Sequence, residues 1–585
     1  MTDYPTFGPV PAGDGRTRFR FWAPAQSAVH LAIEGRSPLP MQAEGDGWFA
    51  VTAECGPGTR YRFRLEDGTE VPDPASRCQP DDVFGPSMVV DSASYRWRTP
   101  DWQGRPWRET VLYELHVGAC GGYAGVRAML PGLAELGVTA VELMPVNEFP
   151  GRRNWGYDGV LPYAPDAAYG SPDELKALVD DAHGHGLSIF LDVVYNHFGP
   201  DGNFLALYAP QFFHRDGSTA WGEALDFRQP AVRRFFAENA LWWLDEYRFD
   251  GLRFDAVQAI GEPSWLDETA AFIRRSLPAG RHVHLVLEHD ENMAEHLRNG
   301  FDAQWNDDGH HVLHTLLTGE DQGYYRDYAG GAAGRLARCL SEGFVYQGEP
   351  SLHRGGKPRG SPSADLPPSS FVVFLQNHDQ IGNRAFGDRL TTLADPDALE
   401  AAIALQLLAP QIPLLFMGEE DASRTPFLYF TDHRSPLDAA VREGRRREFA
   451  AFPDFADPEK RARIPDPNAE ATFRASVPQP DAARAEGRRG LYRHLLAIRA
   501  REIAPRLDGA VCLGATAVGA AAAHASWRLG DGSRLTVAVN LGAEPVTMPA
   551  PEGRALYLSH GVAPADAAAG RLPGRCTAAF LADPA

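Results

Sequence analysis

GLRFDAV (Gly251–Val257), HLVLEHD (His284–Asp290) and VFLQNHDQIGN (Val373–Asn383) are built alike. In each, a run of Leu, Val and Phe gives way to polar residues at a carboxylate: Asp255, Glu288 and Asp379. LDVVYNH (Leu191–His197) precedes them and ends its apolar run at Asp192. Short, nearly continuous apolar runs read as strands buried on both faces, the mark of a parallel sheet covered by helices. One Asp at a strand end is ordinarily a cap or a turn residue. Four in order, each with a polar companion, point to a shared catalytic cleft.

Extended to their full lengths and joined by three more, the strand-like runs are VLYELHVG (111–118), VTAVELMPV (138–146), LSIFLDVVY (187–195), FDGLRFDAV (249–257), VHLVLEHD (283–290), FVVFLQNHD (371–379) and IPLLFMGEE (412–420). FDAQWND (301–307) is a weaker candidate and brings the count to eight. Helical stretches separate them, among them SPDELKALVDDAHGHG, with Ser171 as N-cap and Pro172 at the first helical position. Eight alternations predict a closed (β/α)8 barrel of the TIM type rather than an open sheet. Ahead of it, TRFRFWAP, AVHLAIEG, GWFAVTA and TRYRFRLED alternate polar with apolar residues and predict a small antiparallel β-sandwich. Trp22 in the first of these reads as an interdomain packing residue in preference to a sugar platform. The proline-rich segment Val71–Asp91 reads as a strap into the barrel. After residue 500, GAVCLGA, AAHASWRLG, SRLTVAVNLG and ALYLSHG predict a C-terminal antiparallel β domain. The expected division is 1–97, 98–500 and 501–585. The Gly-, Pro- and Ser-rich stretch 352–370 reads as an ordered loop near the active site, with a disordered excursion as the alternative.

Within 585 residues, 44% are apolar and 10% aromatic, enough for large cores. A net charge of −21 opposes nucleic-acid and anionic-membrane partners and is indifferent to neutral sugars. The start, MTDYPTFGPV, has no signal-like core, no stretch has membrane-spanning length, and the six cysteines form no CxxC pair. A soluble, cytoplasmic protein with buried thiols is expected.

Cleaving a glycosidic bond takes one carboxyl to protonate the leaving oxygen and another to attack or shield the sugar cation. Arg253, two residues before Asp255, lies on the same side of its strand and is placed to hold Asp255 ionised. His197 and His378 read either as hydrogen-bonded loop histidines or as metal ligands. HExxH spacing is absent, and adjacent His310 and His311 are poorly disposed to share one metal. Tyr157, in NWGYDGV, taken alone reads as a packing residue.

These segments resemble the conserved regions of the α-amylase superfamily. The resemblance implies Asp255 as nucleophile, Glu288 as general acid and base, and Asp379 as stabiliser of the transition state, in a double displacement with retention. It implies His197 and His378 as donors to hydroxyls of the cleaved sugar and Tyr157 as its stacking partner. Arg253 joins this substrate-binding set. Asn196 matches a calcium-binding position of many amylases, but the loop after the third strand looks too short to complete that site, so neither metal nor cofactor is expected. The flanking motifs VPDPASRCQPDDVFGPS, EFPGRRNWGYDGVLPYAP, DAQWNDDGHHVLHTLLTGE and MGEEDASRTPFLYFTDH are similar to those of the malto-oligosyltrehalose trehalohydrolase family. That likeness implies maltooligosyl trehalose and related α-glucans as substrates, cleavage of the α-1,4 bond beside a terminal trehalose, and functional pairing with a maltooligosyl trehalose synthase. Trp221 is the expected platform on the leaving side. Departures from the family pattern stand at Ala220, Asp226, His289 and Gly309. Alternatives are a branching or debranching enzyme of the same superfamily and, from another class, a non-catalytic glucan-binding protein.

Overall fold

In the computed structural model, which describes residues 4–218, 222–451, 455 and 457–584, the eight strand-like runs close on one another. Strands β1 (Leu112–Leu115), β2 (Ala140–Leu143), β3 (Ser188–Val193), β4 (Gly251–Phe254), β5 (His284–Leu287), β6 (Ala303–Trp305), β7 (Phe371–Phe374) and β8 (Ile412–Phe416) pair in that order, and β8 returns to β1. FDAQWND supplies a strand of only three residues, which is why its periodicity is faint.

The barrel interior has two tiers. The lower is apolar, with Leu112, Phe190, Val286, Trp305, Phe374 and Leu414 packed together. Alternation along each strand puts the next inward residue two positions on. Glu114, Glu142, Asp192 and Arg253 therefore form the upper tier, Glu114 in register with Glu142 and Asp192 with Arg253. All four are buried. Charge is gathered at the C-terminal mouth while the base of the barrel stays greasy.

Helices α1 (Gly122–Leu136), α2 (Pro172–Gly184), α3 (Pro230–Glu246) and α4 (Pro396–Leu408) are among those between the barrel strands, and α2 covers the predicted SPDELKALVDDAHGHG stretch. The α2 entry is a full capping box: Glu174 N–H donates to Ser171 Oγ, and Ser171 N–H donates to the Glu174 carboxylate at 2.7 Å. Ser171→Ala removes one acceptor at an exposed helix end. It is expected to lower stability by about 1 kcal/mol without changing turnover, read from urea midpoints and an activity assay.

The N-terminal region forms two antiparallel sheets, with Arg16–Trp22 and Trp48–Glu54 central to one and His30–Ile33 and Arg60–Arg64 to the other. Phe21 stacks on Phe63 between them at 4.1 Å. Trp22 is buried and meets Phe212 of the barrel's third loop at 5.5 Å, so it packs the sandwich on the barrel. The strap from Val71 carries buried Asp73, Arg77 and Gln79, and Arg77 stacks on Trp242 of α3 at 3.7 Å. The C-terminal sheet orders its strands Val511–Val518, Ala522–Arg528, Arg534–Asn540, Cys576–Ala582 and Arg554–Leu558. Its fourth member, CTAAFLA, lacks polar alternation and escapes pattern reading. All six cysteines are free thiols, and among the described residues no helix is long and apolar enough to cross a membrane.

Candidate active site

Asp255 and Glu288 stand just past β4 and β5, and Asp379 past β7. All three line one cavity of about 1130 Å³ at the barrel mouth. Arg253, grouped above with the sugar-binding residues, is instead wholly buried beneath them. Its Nη1 donates to Asp255 Oδ1 at 2.9 Å and to Asp192 Oδ2 at 2.5 Å, and its Nη2 lies 2.7 Å from Glu288 Oε2. Trp305 supports the guanidinium from the lower tier at 4.2 Å. One cation thus bridges Asp255 and Glu288 and ties their separation to a single rigid fork. The chain then turns sharply: Ala256 takes φ 39°, a left-handed conformation uncommon outside glycine, and its N–H donates to Glu288 Oε2 at 2.8 Å.

Burial raises both carboxyls. Asp255 is pushed up to about 6 despite the opposing charge of Arg253. Glu288 is pushed further, to about 8, because burial and the negative charges of Asp255 and Asp379 together outweigh Arg253. The arginine therefore moderates Asp255 without bringing it to the ordinary carboxylate range. At neutral pH the favoured pair is an ionised Asp255 beside a protonated Glu288.

His378 begins the short helix His378–Gly382. Its Nδ1–H donates to Glu114 Oε1, and its Nε2 lies 2.8 Å from the Tyr157 hydroxyl and 3.5 Å from Asp379 Oδ2. Tyr157 O–H in turn donates to Asp192 Oδ2 at 2.5 Å, so it can only accept from His378. Burial disfavours charge on His378, yet Asp379 and Glu114 raise it to about 9 and leave an imidazolium. The Tyr157 ring stacks on His378 at 5.2 Å while still lining the cavity. His197 lines it too, and burial lowers its pKa, leaving a neutral ring. Asn196 spends its amide on Asp255, donating to Oδ2 at 2.7 Å and to the carbonyl at 3.1 Å. Among the described residues no group of three His, Cys, Asp or Glu is arranged to hold a metal.

The stretch 352–370 is ordered and begins within a hairpin, Glu349–Ser351 with Lys357–Arg359. Arg354 and Arg359 from it line the cavity, anchored to Asp290 and Asp308 by bonds of 2.5 and 2.7 Å. Trp221 and Ala220 lie outside the described residues. Asp226 commits its carboxylate to Arg228 at 2.7 Å. His289 is buried and not among the cavity-lining residues, burial lowers its pKa to about 4, and its carbonyl accepts from Gln304 at 2.9 Å. Gly309 sits in the first turn of the helix Asp307–Thr318, with room for a Cβ beside Asn306. Sequence reading passed over Glu114, the partner of His378. A lone Glu amid the apolar LYEL run of β1 was the available signal. It also passed over Asp158 and His433, which line the same cavity.

The alpha amylase catalytic-domain family matches residues 62–216, and a domain of unknown function, DUF3459, matches residues 513–580. The malto-oligosyltrehalose trehalohydrolase of Deinococcus radiodurans is 41% identical, covering 92% of this chain and 91% of its own length. That of Saccharolobus solfataricus is also 41% identical, over 76% of this chain and 80% of its own. A solved protein of Salmonella typhimurium, provisionally named an alpha amylase, is 44% identical and superposes with a TM-score of 0.92 over 99% of this chain and 100% of its own.

Proposed function

Because the chain belongs to the malto-oligosyltrehalose trehalohydrolases of the α-amylase superfamily, we propose that Asp255, Glu288 and Asp379 carry out this family's hydrolysis with retention. The enzyme cleaves the α-1,4-glucosidic bond beside the terminal trehalose of maltooligosyl trehalose and releases trehalose. Asp255 attacks the anomeric carbon while Glu288 protonates the leaving oxygen. Glu288, now a base, then draws a proton from the water that releases the glucan. Asp379, Tyr157, His197 and His378 hold the ring, and Arg253 positions both carboxyls from below. The single observation supporting this assignment is the shared guanidinium: Asp255 and Glu288 sit on adjacent nitrogens of Arg253, at 2.9 and 2.7 Å. Such closeness suits attack by a carboxylate better than attack by an interposed water, which requires a gap of about 6.5–9.5 Å. A substrate ending in trehalose must be made by another enzyme, and pairing with a maltooligosyl trehalose synthase completes the proposal.

Incubation with maltopentaosyl trehalose is the direct test. Free trehalose and maltopentaose are expected, with the newly formed reducing end first appearing as the α anomer by NMR. Appearance as β, or no trehalose, rejects the scheme. The pH dependence follows from the two carboxyls. The active form needs Asp255 deprotonated and Glu288 protonated, so kcat/KM is expected to rise as pH passes about 6 and to fall as it passes about 8. A flat profile from pH 5 to 9 would contradict the assigned roles.

A further inference from the structure

Asp158 follows Tyr157 on the loop after β2 and has no part in the chemistry above. Its Oδ2 is doubly engaged: Asn154 Nδ2 donates to it at 2.7 Å, and His433 Nε2 lies 3.4 Å away. Its Oδ1 takes no hydrogen bond from the described residues, and the side chain keeps 19% of its surface exposed where it lines the cavity. Burial would neutralise this acid, but His433 and Asn154 outweigh it and hold the carboxyl below its usual range. Asp158 in return overcomes the effect of burial on His433 and raises its pKa, which favours the protonated ring. The histidine is held by its backbone, because Asn468 Oδ1 accepts from both His433 N–H at 3.1 Å and Thr431 Oγ1 at 2.8 Å. The result is a carboxylate oriented on one oxygen and open to the cavity on the other, an arrangement that recognises a hydroxyl.

Its place in the barrel gives the side. Glu288 and Asp290 follow β5 and Asp307 follows β6, whereas Asp158 follows β2 and His433 follows β8. In the closed order β1 to β8, those pairs are on opposite rims of the mouth. The acid that protonates the leaving oxygen marks the leaving side. Asp158 faces the side that keeps the attacked anomeric carbon. The wall beyond it comes from helix α5 (Leu437–Glu448), whose Leu437, Val441, Arg445 and Glu448 share one face toward the cavity. Arg445 clamps that helix to the chain after Asp379, donating to the Gly382 carbonyl at 2.7 Å.

Resting on the hydrolysis proposed above, we infer that Asp158, oriented by Asn154 and His433, is a specificity residue that accepts a hydroxyl of the glucan part of the substrate, on the rim opposite Glu288. It makes the enzyme hold the maltodextrin end and leaves the trehalose end to other residues.

Two product inhibitors separate the sides. Maltotriose occupies the glucan side and trehalose the leaving side. In Asp158→Asn the inhibition constant for maltotriose and the KM for maltopentaosyl trehalose are expected to rise by ~10-fold or more, with kcat changed far less. The inhibition constant for trehalose is expected to stay within about twofold. Unchanged maltotriose inhibition, or equal weakening toward both sugars, would overturn the inference. If Asp158→Asn fails to fold, His433→Gln removes the orienting imidazole and is judged by the same pair of sugars. Wild-type enzyme that frees no trehalose would reject the hydrolysis itself. An active wild type with an indifferent Asp158→Asn rejects only the role of Asp158.

Discussion

Asp255→Ala is expected to lose on the order of 10⁴-fold or more in kcat while keeping its fold. The fold should survive because Arg253 keeps two carboxyl neighbours, Asp192 at 2.5 Å and Glu288 at 2.7 Å, so the buried guanidinium is not left without partners. The loss should be large because Asp192, the other acid on Arg253 Nη1, is buried and already bonded to Tyr157 and Arg253 and cannot take over the attack. Azide, small enough to fill the vacated space, is expected to restore glucosyl transfer. It would enter on the face that Asp255 occupied and be captured before water could turn the centre over again, giving a glucosyl azide of inverted configuration. Substantial residual turnover without azide, or an azide product of retained configuration, would remove Asp255 from the nucleophile's role.

Glu288→Gln is expected to cost about 10²–10⁴ in kcat on maltooligosyl trehalose. Glutamine keeps the shape and can still accept the Ala256 N–H, which now reaches Glu288 at 2.8 Å, but it has no proton to give. The defect should depend on the leaving group. A glucan carrying p-nitrophenolate, which departs without protonation, is expected to recover most of the first step, and the covalent intermediate should then accumulate because nothing activates water. An equal defect on both substrates would mean that Glu288 acts through structure. The basic limb of the pH profile should also vanish in this variant, since that limb belongs to its proton.

Asp255, Glu288 and Asp379 could be found in the sequence because a parallel strand buried on both faces leaves a long apolar run, and its polar end is conspicuous. Tyr157, His197 and His378 came with the motifs around those ends, and all three line the cavity. Arg253 was placed on the correct side of its strand by period-two reasoning. Its depth was not, because alternation reports a side chain's face and not how far below the mouth it lies. The rise in Asp255 was missed for a similar reason: the charge beside it was visible in sequence, whereas the burial that outweighs that charge is a property of the closed barrel. Glu114, Asp158 and His433 act through partners far away in the chain, Glu114 on His378 across 264 positions. No local pattern announces such a pair. The strand Cys576–Ala582 escaped because it is buried on both faces in the middle of its sheet, which erases alternation.

Phe190, Val286, Trp305, Phe374 and Leu414 pack the barrel under Arg253 with apolar side chains that offer water no hydrogen-bonding partner on the way to Glu288 from beneath. Its proton can be exchanged with bulk solvent only through the open rim, and a seated glucan acts as a stopper there. The proton handed to the departing trehalose is thus the one the acid carried when substrate arrived. Recharging waits for the water that follows trehalose out, so each turnover reloads the enzyme through the very door its product has just used.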